Sequence, residues 1–221
     1  MSIRRLVVLA VSVGASACVL HGGGGTVRPD VAVPDSFLVA FQTTRGRFDI
    51  MARSQWGPAG VDRLYQLVND RFYDETGFFR VVKGFVAQFG LAENPAKTKA
   101  WRVRRLADET VRHGNVRGAV AFARGGPGSR TTQLYINLVD NARLDTLNGY
   151  GFPAIAEVVS GMSVVDSIYS GYNAVRGGPR IQGGEPSQDS ISSKGTAYLK
   201  RRFPKMDYIT SARVVREWRA Q

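Results

Sequence analysis

What most constrains this chain is the way its apolar residues are parcelled into short runs that favour strands. These are FLVAF at 37–41, GRFDIM at 46–51, FFRVV at 78–82, FVAQF at 85–89, AVAFA at 119–123, LYIN at 134–137, AIAEVV at 154–159 and YITSARVV at 208–215. Val, Ile, Phe and Tyr suit a pleated, half-buried surface, and the glycines and polar residues between the runs supply turns. The first two runs, separated by residues 42–45, read as a hairpin. Only two stretches read as helices. Pro58 opens one whose Val61, Leu64, Leu67 and Val68 recur at helical spacing, with proline in the first turn, and the other lies near 162–169. Many short strands with two helices predict a mainly β fold closed into an antiparallel barrel, since closure removes exposed edges.

At 221 residues and 43% hydrophobic content the chain can close one sizeable core. The domains expected are a signal peptide at 1–17, a flexible tether at 18–36 and one folded domain at 37–221. Arg4 and Arg5 precede an apolar run at 6–13 that ends in Gly14, Ala15, Ser16, Ala17 and Cys18, the three-part layout of a secretory signal. The run is too short to cross a bilayer as a stable helix. Cys18 is the only cysteine, which excludes an intramolecular disulfide and a cysteine metal cluster. Its place resembles the acylated cysteine of a bacterial lipoprotein, while Ala15-Ser16-Ala17 also reads as a site for ordinary signal peptidase. Both point to an exported protein, periplasmic or anchored to the envelope. His21, four glycines at 22–25, Pro29 and Pro34 give the tether a composition that cannot bury apolar surface. The net charge of +12 permits adhesion to anionic lipid or nucleic acid, but it speaks to association and solubility rather than to chemistry, and nothing points to a specific nucleic-acid partner.

The common catalytic constellations are missing. Of two histidines one sits in the tether, so a histidine metal site or a Ser-His-Asp triad would rest on His113 alone, which reads as a surface side chain. The glycine-rich stretches 125–128 and 177–184 lack the Lys-Ser/Thr ending of a phosphate loop and read as plain loops. What stands out is an arginine and a glutamine, Arg80 and Gln88, inside the apolar, strand-forming segment 77–90. A charge there needs a partner or a cleft. Residue chemistry alone leaves Arg80 open between a structural ion pair and a functional donor.

The order of residues is more specific. Phe79-Arg80-Val81-Val82, Gly84-Phe85-Val86, Gln88 and Gly90 resemble the signature of the cyclophilin-type peptidyl-prolyl isomerases. A second block agrees, with AVAFAR at 119–124, GPGSR at 126–130 and TQLYIN at 132–137, and so do Leu144-Asp145, GYGF at 149–152, VVSGM at 158–162 and VVD at 164–166. The tail, AYLK at 197–200 and FPKMDYI at 203–209, is similar to bacterial members. The resemblance spans roughly 37–215. It implies a closed eight-stranded antiparallel barrel capped by two α-helices, and an enzyme that accelerates rotation about X-Pro bonds of exported polypeptides. Arg80 would be the donor that favours the twisted imide, and Gln88 would orient it or hold the peptide backbone. Phe85, Phe122, Tyr135, Leu144 and Phe152 would hold the proline ring, and Ala123, Arg124 and Gln133 would line the groove for the preceding residues. No cofactor or metal is implied, and the protein is expected to be a monomer. The alternative is a chaperone or envelope scaffold that binds proline segments without catalysis.

Strict alternation sets Phe85 and Gln88 on opposite faces of a regular strand, so a bulge or a strand end must intervene if both line one site. Departures from the family pattern are Phe79 in place of histidine, Phe89-Gly90-Leu91 in place of Gly-Gly-Asp, and Pro153 and Ala156 in place of aliphatic and glycine residues. Arg143 stands where eukaryotic members carry a tryptophan that contacts cyclosporin, which implies weak cyclosporin binding.

Overall fold

The computed structural model describes residues 33–173 and 185–219. The expected signal segment, Cys18, the tether up to residue 32 and the glycine-rich stretch 177–184 lie outside the described residues. The first two runs form the expected hairpin, β1 (Ser36–Thr43) and β2 (Gly46–Arg53), in register from Ser36 opposite Arg53 to Thr43 opposite Gly46. Its turn is pinned by Asp207, which accepts hydrogen bonds from Thr44 Oγ1 at 2.7 Å and Arg45 Nε at 2.9 Å. The helix α1 (Pro58–Asn69) follows, and Val61, Leu64, Leu67 and Val68 are all buried on one side of it. The other strands are β3 (Thr76–Gly77), β4 (Arg80–Val82), β5 (Val86–Phe89), β6 (Ala119–Phe122), β7 (Leu134–Asn137), β8 (Ala154–Ser160) and β9 (Tyr208–Trp218).

All nine strands join one antiparallel sheet in the order β3-β9-β1-β2-β8-β6-β7-β5-β4. Among the described residues the sheet therefore has nine strands in place of the expected eight. The described pairings join no ladder between β3 and β4; the two ends of the curled sheet are linked by the chain itself, through Phe78 and Phe79. These two rings face opposite ways, as consecutive side chains of an extended chain do. Phe78 packs inward, 5.2 Å from the Phe89 ring, whereas Phe79 packs outward with Ile191, Leu199 and Phe203. On β8, close to Pro153 and Ala156, the register with β6 slips between Val120 and Ala121.

The helices also exceed the two expected. Besides α1 there are α2 (Pro95–Arg102), the short α3 (Met162–Asp166) in the stretch predicted, α4 (Gln188–Lys194) and α5 (Thr196–Arg202). Asn94 caps α2 by accepting from the Ala96 N–H at 2.8 Å, with Pro95 in the first turn, and Ser187 Oγ caps α4 through the Ser190 N–H at 3.2 Å. Both α2 and α5 carry several Lys and Arg and few apolar residues, so no apolar stripe announces them; Trp101 anchors α2 in the interior core, and α5 is held by a second cluster built on Phe79, Leu91, Ile191, Leu199, Phe203 and Met206.

Alternation along the strands decides which face is core. Phe48, Ile50 and Ala52 of β2, Ala87 and Phe89 of β5, Val120 and Phe122 of β6, and Leu134 and Ile136 of β7 all point inward against α1. Each Val, Leu, Ile or Phe among them contributes about 1.5–3 kcal/mol by leaving water. Gly90 ends β5 at φ +103°, where an added Cβ would lie 2.5 Å from the Thr132 carbonyl oxygen, so glycine alone lets this strand pass so close to its neighbour. The opposite face of β5, β6 and β7 presents Val86, Gln88, Ala121 and Tyr135. That face carries the candidate site.

Candidate active site

Cross-strand register assembles the polar half of the site. Arg80 on β4 lies opposite Gln88 on β5, which lies opposite Tyr135 on β7. Arg80 Nη1 donates to Gln88 Oε1 at 3.3 Å, Gln88 Nε2 donates to Gln133 Oε1 at 2.8 Å, and Gln133 Nε2 donates to Gln188 Oε1 at 2.9 Å. This row of three amides fixes the orientation of each and ends on the arginine. Half-burial holds the Arg80 guanidinium below its ordinary value, and the charge of Glu185 opposes that shift. An arginine remains charged through the physiological range. One of its N–H groups is used on a neutral amide, and its remaining donors have no hydrogen-bond partner among the described residues.

The apolar half is a small cluster separate from the interior core. Val86, Ala121, Tyr135 and Leu144 are buried at its floor, and Phe85, Ala123, Leu147 and Phe152 stand partly exposed around it. The Tyr135 and Phe152 rings meet edge to face at 6.0 Å. The Arg80 guanidinium carbon lies 5.5 Å from the Phe85 ring centre, so donor and apolar cup adjoin. Phe85 reaches this face because it belongs to the turn before β5: its N–H bonds the Val82 carbonyl at 2.9 Å, and Gly84 takes φ +71° beside it. A strand end thus resolves the conflict in parity with Gln88.

Not every predicted residue arrives. Phe122 has the parity of Val120 and sits fully buried in the interior core, so it supports the sheet and does not line the cup; the alternation of AVAFA already carried that signal. Ala123 and Gln133 line the groove beside Gln88, and the Ala123 N–H bonds the Gln133 carbonyl at 2.9 Å. Arg124 also borders it, but its side chain is only 1% exposed, paired with Asp108 at 2.7 Å and covered by the Tyr150 and Phe152 rings at 4.0 and 4.8 Å. His113 is not a free surface side chain: it stacks flat on Trp56 at 3.7 Å, with its Nε2 buried. Among the described residues no three His, Cys, Asp or Glu side chains gather as metal ligands, and no helix is long and apolar enough to cross a membrane.

Sequence reasoning missed the layer beneath the cup. Tyr135 Oη donates to Asn115 Oδ1 at 2.8 Å; Asn115 Nδ2 donates to Asp145 Oδ1 and the Phe152 carbonyl, each at 2.8 Å; Asn137 Nδ2 donates to Asn115 Oδ1 at 3.2 Å; and Asn141 Nδ2 donates to Asn137 Oδ1 at 2.8 Å and the Phe85 carbonyl at 3.0 Å. Burial pushes the Tyr135 phenol well above its ordinary value, so it stays a neutral donor. The network ties together the segments that carry Phe85, Tyr135, Leu144 and Phe152. Asn137 closing an otherwise apolar strand was the available clue. Gln188 was beyond reach, since its helix was not foreseen.

The candidate site is thus a guanidinium with spare donors beside an apolar cup and an open groove. Residues 38–182 match the sequence model of the cyclophilin type peptidyl-prolyl cis-trans isomerase/CLD family, and the chain belongs to that family. It is a peptidyl-prolyl cis-trans isomerase. It is 37% identical over 138 residues to peptidyl-prolyl cis-trans isomerase B of Escherichia coli (strain K12), covering 59% of this chain and 83% of that one. To peptidyl-prolyl cis-trans isomerase A of Dickeya dadantii (strain 3937) it is 35% identical over 144 residues, covering 63% and 75%. Among solved structures it is similar in fold to a cyclophilin type isomerase of Cryptosporidium parvum, with a TM-score of 0.57 at 16% identity over 82% of this chain and 99% of that one.

Proposed function

We propose that Arg80 is the catalytic residue and that it works as a fixed hydrogen-bond donor to a twisted prolyl imide. Rotation about an X-Pro bond is slow because amide resonance must be lost, against a barrier of roughly 20 kcal/mol. As the bond twists, the prolyl nitrogen gains a lone pair that neither planar form offers. A donor aimed at that nitrogen stabilises the twisted state above both ground states, which lowers the barrier with no proton transferred. The carrying observation is the Arg80–Gln88 pair at 3.3 Å beside Phe85: a charge oriented by a neutral amide keeps donors for a ligand. Phe85, Tyr135, Leu144 and Phe152 hold the proline ring, and Gln88, Ala123 and Gln133 meet the residues before it.

The test is a proline-limited peptide isomerisation assay on the full chain and on Arg80→Ala. The variant keeps its fold and loses about 2–4 kcal/mol of barrier lowering. Equal rates in the two proteins would refute the mechanism and favour a proline-binding chaperone whose role does not depend on Arg80. The rate should be flat between about pH 6 and 9, because no acid or base takes part; a bell-shaped profile would contradict this.

The clients we assign are proline-containing exported polypeptides, and the protein acts as a monomer in the periplasm or on the envelope, held there by lipid at Cys18. The layout of residues 4–18 supports this reading. Cys18→Ala is expected to shift the protein from membrane to soluble fractions, and an unchanged distribution would remove the anchor. Arg143 lies over the Phe85 ring at 4.8 Å, and a charged side chain there disfavours a large apolar ligand such as cyclosporin. Sub-micromolar inhibition by cyclosporin would contradict that expectation.

A further inference from the structure

The groove beside Gln88 continues into a second space. A cavity of about 210 Å³ bordered by Gln88, Ala123 and Arg124 shares Gln133 and Gln188 with a neighbouring cavity of about 300 Å³ between the Gly125–Ser129 loop, α2 and α4. The walls of the second cavity carry three charges, Arg102 at the end of α2, Arg105 three residues beyond it and Asp189 on α4. Arg102 and Arg105 are exposed, and no described residue forms an ion pair or hydrogen bond with either side chain. They differ in this from Arg124 across the same loop, which is neutralised by Asp108. The cavity is therefore net positive, open to solvent and continuous with the groove assigned to the client chain.

We propose that Arg102 and Arg105 form an acidic-residue subsite that favours client segments with Asp or Glu a few residues before the proline. The inference rests on the isomerase reading of the groove and deepens it. A carboxylate is the side chain that two unpaired guanidinium groups recognise best, through charge-assisted and bidentate hydrogen bonds. Gln188 and Gln133 border both cavities and Gln88 the first, and the row they form ends on Arg80, so a client held at Arg102 and Arg105 lies along the amides that lead to the reacting bond. Asp189 repels a carboxylate within the cavity, and a basic client side chain would meet two positive charges for one negative.

The experiment measures kcat/KM of the full chain on a peptide series in which one Glu, Ala or Lys is moved through each of the positions preceding proline. At low salt the Glu peptide should exceed the Ala peptide by about fivefold at one or two adjacent positions, with Lys below Ala. The advantage should shrink at about 1 M salt, where screening acts within a few ångströms. In the double variant Arg102→Gln, Arg105→Gln the advantage should vanish while the all-Ala peptide keeps its rate, which also shows that the variant is folded. Arg216→Gln, a charge lost on β9, should leave the preference intact. No preference at any position, with every peptide turned over, overturns the subsite and leaves the isomerase reading standing. Preference that survives in the double variant overturns the assignment to these two arginines. Failure to turn over any peptide overturns the isomerase reading, and the subsite with it.

Discussion

Two arginine centres face opposite fates in this fold. Arg130 has a fully buried side chain, is paired with Glu109 at 3.0 Å and donates to the Ala107 carbonyl. Glu109 in turn accepts from the first turn of α1, at the Ala59 N–H (2.8 Å) and Gly60 N–H (3.1 Å). Around Arg80 the surroundings are half-open, the hydrogen-bonded partner is an uncharged amide, the Phe85 ring lies alongside, and the charge of Glu185 also acts on it. The difference is between a buried guanidinium held by a carboxylate that is itself tied to α1 and a half-open one aimed by a neutral amide, the setting proposed above for a catalytic donor.

The comparison can be broken first at Glu109. Glu109→Ala leaves Arg130 buried without its counter-charge and strips two acceptors from the start of α1, so urea denaturation should show a loss of about 3–5 kcal/mol. A loss below about 1 kcal/mol would mean that this centre is not structural. The folded fraction should isomerise at the normal rate. Asn115→Ala sharpens the other side: it leaves the buried hydroxyl of Tyr135 without its acceptor and frees the segment of Phe152, at about 1–3 kcal/mol in stability. Unlike Glu109→Ala it should also weaken catalysis by the folded protein, because the cup loses its shape. Smallest in stability is Arg80→Ala, about 0.5–1.5 kcal/mol for one hydrogen bond to a neutral group.

The two centres were not equally legible in the sequence. Arg80 and Gln88 interrupt an apolar strand run, and such an interruption is visible without a structure; the blocks around it then name the family. Arg130 lies in a polar stretch beside Gly128 and Ser129, and nothing local says that residue 130 is the one that turns inward to meet Glu109. Phe122 was assigned to the pocket by the resemblance, whereas alternation along β6 sends it into the core and leaves its neighbours Ala121 and Ala123 facing the site. The helices α2, α4 and α5 escaped because polar segments of seven or eight residues lack a periodic apolar face; each is held by single buried side chains, Trp101 in the interior core and Ile191 and Leu199 in the second cluster, contacts that only the fold gathers. With them went Gln188, the outer end of the amide row.

The central claim is that Arg80 serves the twisted imide and not the bound planar peptide. Measuring kcat by exchange spectroscopy and Kd by titration of an Ala-Pro peptide, for the native chain and Arg80→Ala, separates the two. Differential stabilisation predicts that kcat falls by about 30-fold or more while Kd changes by less than about threefold. A Kd weakened by the full factor, with kcat preserved, would contradict it and make Arg80 a binding residue alone.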